Sequence, residues 1–260
     1  MGDYFCILCG LPTKKSCGNC GIEYYCGREC QKAAWNAGHK EKCKKPAATT
    51  DTVKVASAKP TQSSTGEEVA SITGEEVASI IASLNLNEQN ESRRMQICHN
   101  FSWALPSQDV IDSLFALFRE KGKILSVGAG RGLWERLLEE AGLDVTATDA
   151  FKSHGIETDG KTYTHVYRMD HLTAIASFPE ATTLLLCWPT FKDPFAFEAL
   201  ERFRGDYLIY IGEGEGGCTA NDSFFDLLDK EWNQTKFIDI LSWRNIYDSI
   251  QIYERKSKAS

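Results

Sequence analysis

Seven cysteines and one histidine lie within the first 43 residues of this 260-residue chain and form four closely spaced pairs. The pairs are Cys6 with Cys9, Cys17 with Cys20, Cys26 with Cys30, and His39 with Cys43. Ligands two or three residues apart can bind one metal ion from a tight turn or from one face of a helix. Eight ligands satisfy two tetrahedral zinc ions, and so short a segment needs metal to fold. The sequence therefore predicts two structural zinc ions, and spacing alone leaves open which pairs share an ion.

The same segment closely resembles the MYND zinc finger over residues 6–43, including Tyr25, Gln31 and Trp35 between the ligands. The resemblance implies an interleaved arrangement, with Cys6, Cys9, Cys26 and Cys30 on one ion and Cys17, Cys20, His39 and Cys43 on the other. It also implies a protein partner, since members of the family mostly bind short proline-containing peptides. Trp35 is a candidate peptide contact, and a position in the small core suits it equally well.

A second group of candidate residues lies at a glycine-rich turn. Gly128, Gly130 and Gly132 follow the apolar run 124–127 and precede a predicted helix. Glycine lets the backbone turn sharply and lets a ligand approach it closely. Asp149 follows the next predicted strand, about twenty residues on, where a carboxylate can accept hydrogen bonds from ribose hydroxyls. This pattern predicts a site for a nucleoside cofactor.

Strands and helices alternate from Ser107, a candidate helix cap, to the end of the chain. The predicted strands are 123–127, 145–148, 165–168, 183–187, 207–211, 237–243 and 250–254. The predicted helices are 107–121, 133–140, 172–176, 195–204 and 224–232. Alternation of this kind predicts an α/β domain with a doubly wound, seven-stranded parallel sheet. The last two strands have no helix between them, so they should form an antiparallel hairpin at one edge.

Residues 107–256 resemble class I S-adenosylmethionine-dependent methyltransferases, in which the seventh strand inserts antiparallel beside the sixth. The G-x-G-x-G spacing is similar to theirs, whereas Leu133 stands where a dinucleotide-binding fingerprint has its last glycine. The resemblance implies that the three glycines wrap the methionine half of the cofactor and that Asp149 holds the ribose. Met169 and Asp170 would border the adenine, with capping of the following helix as the alternative role of Asp170.

Several positions differ from the family pattern and bear on the chemistry. Ser126 stands where the family carries an acidic residue, and Glu135 could compensate for it or could be a solvated helix residue. Trp188 replaces the polar residue that receives an amine, so Trp188 and Phe191 are candidate walls of a substrate pocket or core residues. Glu213, in an acidic glycine-rich loop, is a candidate general base or an ordinary loop residue.

The predicted domains are a finger over residues 1–45, a linker over 46–90 and a methyltransferase-like domain over 91–260. The linker is rich in small and polar residues, as flexible linkers are. Its residues 65–72 recur identically at 73–80, with the sequence TGEEVASI. A period of eight residues cannot hold one apolar stripe on a helix. The second copy can nevertheless lead into a helix through Ile80, Ile81 and Leu84.

Composition restricts the partners and the compartment. The formal net charge of −7 combines +4 over residues 1–45 with −11 over residues 46–260, and an acidic larger domain argues against bulk binding of nucleic acid. No apolar run is long enough for a membrane span, and no signal peptide is evident. Clustered cysteines then indicate a reducing compartment, cytoplasm or nucleus.

Two functions fit these observations. The first is an active methyltransferase of unknown acceptor, with the finger recruiting a protein partner. The second is a non-catalytic adaptor whose methyltransferase-like domain is degenerate, which the changes at Ser126 and Trp188 would permit. A nicotinamide-dependent enzyme is a third possibility that Leu133 disfavours.

Overall fold

The computed structural model describes residues 4–5, 12–13, 15–19, 24–25, 28–35, 39–40, 43, 74–84, 86, 91–151 and 162–257. The chain divides into two compact units, Met1–Thr61 and Gln62–Ser260. Cys6, Cys9, Cys20, Cys26 and the first copy of the repeat lie outside the described residues. In the part of the chain that is described, no helix is long and apolar enough to cross a membrane.

The described residues of the first unit form short elements. Strands β1 (Tyr4–Phe5) and β2 (Pro12–Thr13) pair antiparallel, and helix α1 (Arg28–Ala34) follows. Among its described residues, Cys17, Tyr25 and Ala34 form a buried cluster, with Cys43 packed against them. A segment as short as residues 6–43 buries little apolar surface, so it needs further stabilisation to fold.

The second unit is built on a seven-stranded sheet with the order β5-β4-β3-β6-β7-β9-β8. The strands are β3 (Ile124–Val127), β4 (Val145–Asp149), β5 (Val166–Arg168), β6 (Thr183–Cys187), β7 (Tyr207–Gly212), β8 (Trp232–Asp239) and β9 (Ser249–Arg255). The first five of these are parallel, whereas β9 lies antiparallel between β7 and β8. The doubly wound fold class and the terminal hairpin are thus confirmed.

Helices cover both faces of the sheet. They are α2 (Gly74–Ala82), α3 (Glu91–Asn100), α4 (Gln108–Phe118), α5 (Leu133–Glu140), α6 (His171–Ser177), α7 (Phe195–Arg202) and α8 (Asp222–Glu231). Successive strand residues face opposite sides: Leu185 packs with α2, α4 and α5, whereas Leu184 and Leu186 pack with α6, α7 and α8. Burial on both faces explains why the central strands are continuous apolar runs.

The second copy of the repeat forms part of this core. Helix α2 buries Val77 and Ile81, and Ile80 and Leu84 pack beside them. These four positions are three or four residues apart and share one helix face, because residues after the repeat complete the stripe that the repeat alone cannot supply. The linker predicted over residues 46–90 therefore differs from the structure at 74–84, which belong to the second unit.

Strand β8 begins at Trp232, five residues before the predicted start. Helix α8 ends at Glu231, and Trp232 is already extended, with φ −129° and ψ 149°. Most side chains of β8 are exposed because it is the edge strand beside β9. Its polar start, Asn233 to Lys236, carries no apolar alternation, and a strand could therefore not be predicted there.

Candidate functional site

Three predicted zinc ligands converge in the first unit. The ligand atoms of Cys17, His39 and Cys43 lie within 4.8 Å of one another. The two Sγ atoms are 3.6 Å apart, and His39 Nε2 is 3.3 Å from the Cys17 Sγ. With ligands about 2.0–2.3 Å from zinc, the edges of a tetrahedron are roughly 3.5–3.8 Å long. The three atoms thus fit three corners of a tetrahedral zinc site.

Neighbouring side chains support this cluster. Asn19 Nδ2 donates to Cys43 Sγ at 3.2 Å, the kind of contact that orients a thiolate ligand. The rings of Tyr25 and Trp35 meet the His39 ring edge-on, at centroid distances of 6.0 and 5.7 Å. Trp35 is also 37% exposed, so it packs on a ligand while part of its surface stays accessible. Cys30 lies in α1, and the remaining ligands of the other predicted ion lie outside the described residues.

In the second unit a cavity of about 720 Å³ opens where the glycine turn follows β3. Gly128, Gly130 and Gly132 all have positive φ, at 76°, 57° and 75°. A Cβ on Gly130 would meet nothing within 4 Å, so the turn leaves room there for a ligand. A Cβ on Gly132 would come within 2.9 Å of the Thr164 methyl carbon, so Gly132 serves packing. Gly128 and Gly130 line the cavity.

Asp149 ends β4 and lines the same cavity. Its Oδ2 accepts a hydrogen bond from the Gly130 amide at 2.8 Å, and its Oδ1 accepts one from the Phe151 amide at 2.5 Å. Each carboxylate oxygen can accept more than one bond, so both retain capacity for ligand hydroxyls. Asp149 therefore ties the glycine turn to the adjacent strand and still presents acceptors to the cavity.

Glu135 is buried beneath the cavity, at 1% exposure, and lines it. The Ser126 hydroxyl donates to its Oε1 at 2.5 Å, whereas Oε2 has no hydrogen-bond partner among the described residues. Burial raises the pKa of Glu135 to about 7, and the bond from Ser126 opposes the rise. The alternative of a solvated helix residue is wrong, since the first turn of α5 faces the sheet here.

The two residues predicted to border the adenine are in different environments. Met169 lines the cavity, whereas Asp170 caps α6 by accepting a bond from the Thr173 amide at 2.9 Å. That hydrogen bond lowers the pKa of Asp170. The next residue, His171, does line the cavity and bonds through Nε2 to Glu198 Oε2 at 2.7 Å. The structure thus gives Asp170 its alternative role, and the position after it reaches the cavity instead.

Trp188 and Phe191 both line the cavity after β6. Trp188 has a φ of 50° and stacks on Trp103, with ring centroids 5.1 Å apart and planes 19° from parallel. Its Nε1 donates to Asp248 Oδ1 at 2.7 Å. Burial raises the pKa of Asp248 to about 7. Phe191 is half exposed, and Trp103 and Asp248 carried no signal in the sequence.

Glu213 does not reach the cavity. It is 5% exposed; its Oε2 accepts from the Cys218 amide at 2.8 Å and its Oε1 from the Tyr247 amide at 3.0 Å. The carboxylate thus joins the loop after β7 to the loop before β9. The prediction of Glu213 as a general base is not supported by this position, because a buried carboxylate takes the nearest amide donors.

Comparison with known proteins identifies the first segment. Residues 6–43 match the family model of the MYND finger. Ubiquitin carboxyl-terminal hydrolase 17 of Arabidopsis thaliana is 42% identical over 43 residues, which is 16% of this chain and 6% of that protein. The chain therefore matches only a small fraction of that relative's length.

Solved structures similar to the chain include two complexes with cofactor or product. An O-methyltransferase from Bacillus cereus in complex with SAH has 13% identity and a TM-score of 0.39, covering 68% of this chain and 96% of that one. A mutant of MtNAS in complex with S-adenosylmethionine has 15% identity and a TM-score of 0.40, covering 71% of this chain and 72% of that one.

Proposed function

We propose that the second unit binds S-adenosylmethionine and transfers its methyl group, while the finger recruits a protein partner. The observation that carries this proposal is the convergence of the glycine turn, Asp149 and Glu135 on one cavity at the carboxyl ends of the parallel strands. Sheets of this kind bind ligands where the strand order reverses, and here β3 lies between β4 and β6 at that point.

Each of these groups has a role that its chemistry supports. Asp149 accepts the ribose hydroxyls, and the open side of Gly130 lets the ligand approach the backbone. Glu135 is the anion for the amino group of the methionine half, because its Oε2 is buried, lines the cavity and has no hydrogen-bond partner among the described residues. When bound, S-adenosylmethionine supplies a methyl group activated by its sulfonium. The chain contributes mainly alignment, which a transfer of this kind needs most.

For the finger we propose two structural zinc ions in the interleaved arrangement. A sequential arrangement would put Cys17 on a different ion from His39 and Cys43, and the proximity of these three ligands supports the interleaved one. Four protein ligands per ion leave no open position for chemistry. A short proline-containing peptide is the proposed partner, and a cytoplasmic or nuclear location is part of the proposal because the thiolates must stay reduced.

Ligand-dependent unfolding of the zinc-loaded full chain tests the cofactor. S-adenosylmethionine and S-adenosylhomocysteine should raise its melting temperature, since a ligand at 100 times its Kd stabilises by about 2.7 kcal/mol. NAD at the same concentration should leave the temperature unchanged. Stabilisation by NAD alone, or by none of the three, would overturn the assignment. Binding of S-adenosylmethionine without methyl transfer to any acceptor would instead favour the adaptor function.

A further inference from the structure

The cavity of the second unit has an aromatic end that the cofactor site leaves unused. The glycine turn and Asp149 follow β3 and β4, whereas these aromatic residues come from α3 and from the segments after α3 and β6. Three residues that line the cavity, His99, Trp103 and Trp188, form this aromatic end.

The three rings form one continuous wall. Trp188 stacks on Trp103 at 5.1 Å and 19°, and the His99 ring meets Trp103 edge-on at 6.0 Å and 72°. Asp248 fixes the Trp188 indole through its hydrogen bond to Nε1. Stacked rings at this separation have no space between them, so a ligand must lie on the face that the wall turns to the cavity. Aromatic ligands prefer such offset or edge-on contacts.

The three rings of the aromatic end and the thiols beside them are uncharged near neutral pH. Burial raises the pKa of Cys98 to about 11 and also raises the pKa of Cys187 and of Cys218. Burial lowers the pKa of His99, so its imidazole is neutral. Four charged groups act on these thiols: Arg94, Glu135, Glu213 and Asp248. Of these only Glu135 is among the described residues that line the cavity, and the proposed function assigns it to the cofactor. An ionic acceptor would therefore lose its hydration here without gaining a partner.

His99 adds a proton acceptor to this wall. It lies in the last turn of α3, and neither of its ring nitrogens has a hydrogen-bond partner among the described residues. Glu135, the other ionisable group nearby, is already assigned to the cofactor in the proposed function. A neutral imidazole next to a flat aromatic face suits an acceptor that is uncharged, planar and must lose a proton as it reacts.

Resting on the proposed function, we propose that the aromatic end binds an aromatic hydroxyl compound and that His99 takes up its proton as the oxygen is methylated. The acceptor oxygen forms a bond to the methyl carbon, and the carbon–sulfur bond breaks with its electron pair left on sulfur. The hydroxyl proton passes to the imidazole, which becomes imidazolium. A phenol stays uncharged near neutral pH, because its pKa is about 10.

The first experiment measures binding to the zinc-loaded full chain saturated with S-adenosylhomocysteine. Calorimetry with 2-naphthol, 4-methylphenol and catechol should detect binding of at least one, at least tenfold tighter than 2-naphthoate or cyclohexanol. Trp103→Leu should weaken that binding at least tenfold and leave the Kd of S-adenosylhomocysteine within twofold. If S-adenosylhomocysteine binds and no phenol does, or if naphthoate binds as tightly, the inference is wrong. If S-adenosylhomocysteine itself fails to bind, the proposed function fails instead.

The second experiment tests His99 with the tightest phenol at saturating S-adenosylmethionine. In the unmodified protein kcat should rise with pH and level off above a pKa below 6.5. His99→Gln should lower kcat by about 10²- to 10⁴-fold and abolish this rise, with the Kd of the phenol within threefold. His165→Gln, at an exposed histidine outside the cavity, is the matched control and should behave as the unmodified protein. Unchanged kcat and pH profile in His99→Gln would overturn the role of His99.

A third experiment distinguishes a free phenol from a tyrosine side chain as the acceptor, because both carry a hydroxyl group on an aromatic ring. A short peptide with one tyrosine replaces the phenol, and its phenylalanine counterpart is the control. Methylation of the phenol alone assigns a free small molecule, and methylation of the tyrosine peptide assigns a tyrosyl side chain. Methylation of the phenylalanine peptide would contradict transfer to a hydroxyl.

Discussion

The two units hold their functional residues in place by opposite means. In the described part of the finger, ligands belong to the core itself, since Cys17 and Cys43 pack with Tyr25 and Ala34. In the second unit the cavity lies at the carboxyl edge of a sheet whose two faces are covered by helices, and the polar site residues Asp149 and Glu135 are not members of that apolar core. Loss of a site residue should therefore unfold the first unit, whereas in the second unit it should only weaken the binding of a ligand.

Removal of zinc is the strongest way to test this difference. Cys17→Ser should release one ion and unfold the finger, because structural zinc in such segments supplies an apparent 10–16 kcal/mol of folding free energy. Elemental analysis should fall from two zinc ions per chain to one or fewer, while the Kd of S-adenosylmethionine stays within twofold. The control is Cys218→Ser, an exposed thiol of the second unit, which should keep two ions. The comparison between the units would be wrong if the unmodified chain held only one zinc ion. It would also be wrong if Cys17→Ser lost cofactor binding together with zinc.

A substitution in helix α2 tests whether this helix is part of the folded second unit or part of the linker. Ile81→Ala should destabilise the second unit by about 2–5 kcal/mol, because it leaves a cavity in the core that α2 shares with α4 and α5. Glu75→Ala, at an exposed position of the same helix, should change stability by less than about 0.5 kcal/mol. Urea unfolding followed by circular dichroism measures both. Equal, small effects would mean that α2 acts as the linker that the sequence predicted.

Much of the fold could be predicted from the sequence because local patterns determine it. The strands β3 and β6 are short apolar runs next to helices, and their predicted bounds differ from the structure by at most one residue. The glycine turn and Asp149 could be identified because they follow adjacent parallel strands at a fixed separation. The start of β8 could not, since an exposed edge strand needs no apolar alternation.

The other half of the cavity could not be predicted for a different reason. Trp103 and His99 precede the glycine turn by more than twenty residues, and nothing in their local sequence indicates a cavity. Glu213 was placed correctly after a strand, but burial directed its carboxylate to backbone amides rather than to the cavity. Side-chain direction in loops depends on tertiary hydrogen bonds, which sequence spacing does not reveal.

Asp149 tests whether the second unit tolerates the loss of a site residue. Asp149→Ala should weaken binding of S-adenosylmethionine by about 1–3 kcal/mol, the scale of a lost hydrogen bond to a charged group. The melting temperature without ligand should change little if the site is separate from the core. Asp144→Ala, at an exposed aspartate just before β4, is the control and should bind normally. Unchanged affinity in a folded Asp149→Ala variant would refute the ribose role, and Asp149→Asn separates lost charge from a loosened turn.

The smallest expected effect concerns the protonation of Glu135. Its carboxyl has a pKa of about 7 before the cofactor binds, so at pH 6.5 about three quarters of the molecules carry the proton. An ammonium group binds the carboxylate, and its binding must therefore expel that proton. The expulsion costs about 1 kcal/mol at pH 6.5 and less as the pH rises, which makes the affinity increase by about two- to threefold between pH 6.5 and 7.5.

Calorimetry in two buffers of different ionisation enthalpy measures the proton directly. The unmodified chain should release roughly three quarters of a proton at pH 6.5 when it binds S-adenosylmethionine. Glu135→Gln should release none, and its affinity should no longer rise between pH 6.5 and 7.5, because Gln cannot titrate. Glu140→Gln, an exposed residue of the same helix, is the matched control and should release the proton as the unmodified chain does. If Glu135→Gln also releases the proton, another residue holds the amino group, and the Ser126–Glu135 pair belongs to the core rather than to the site.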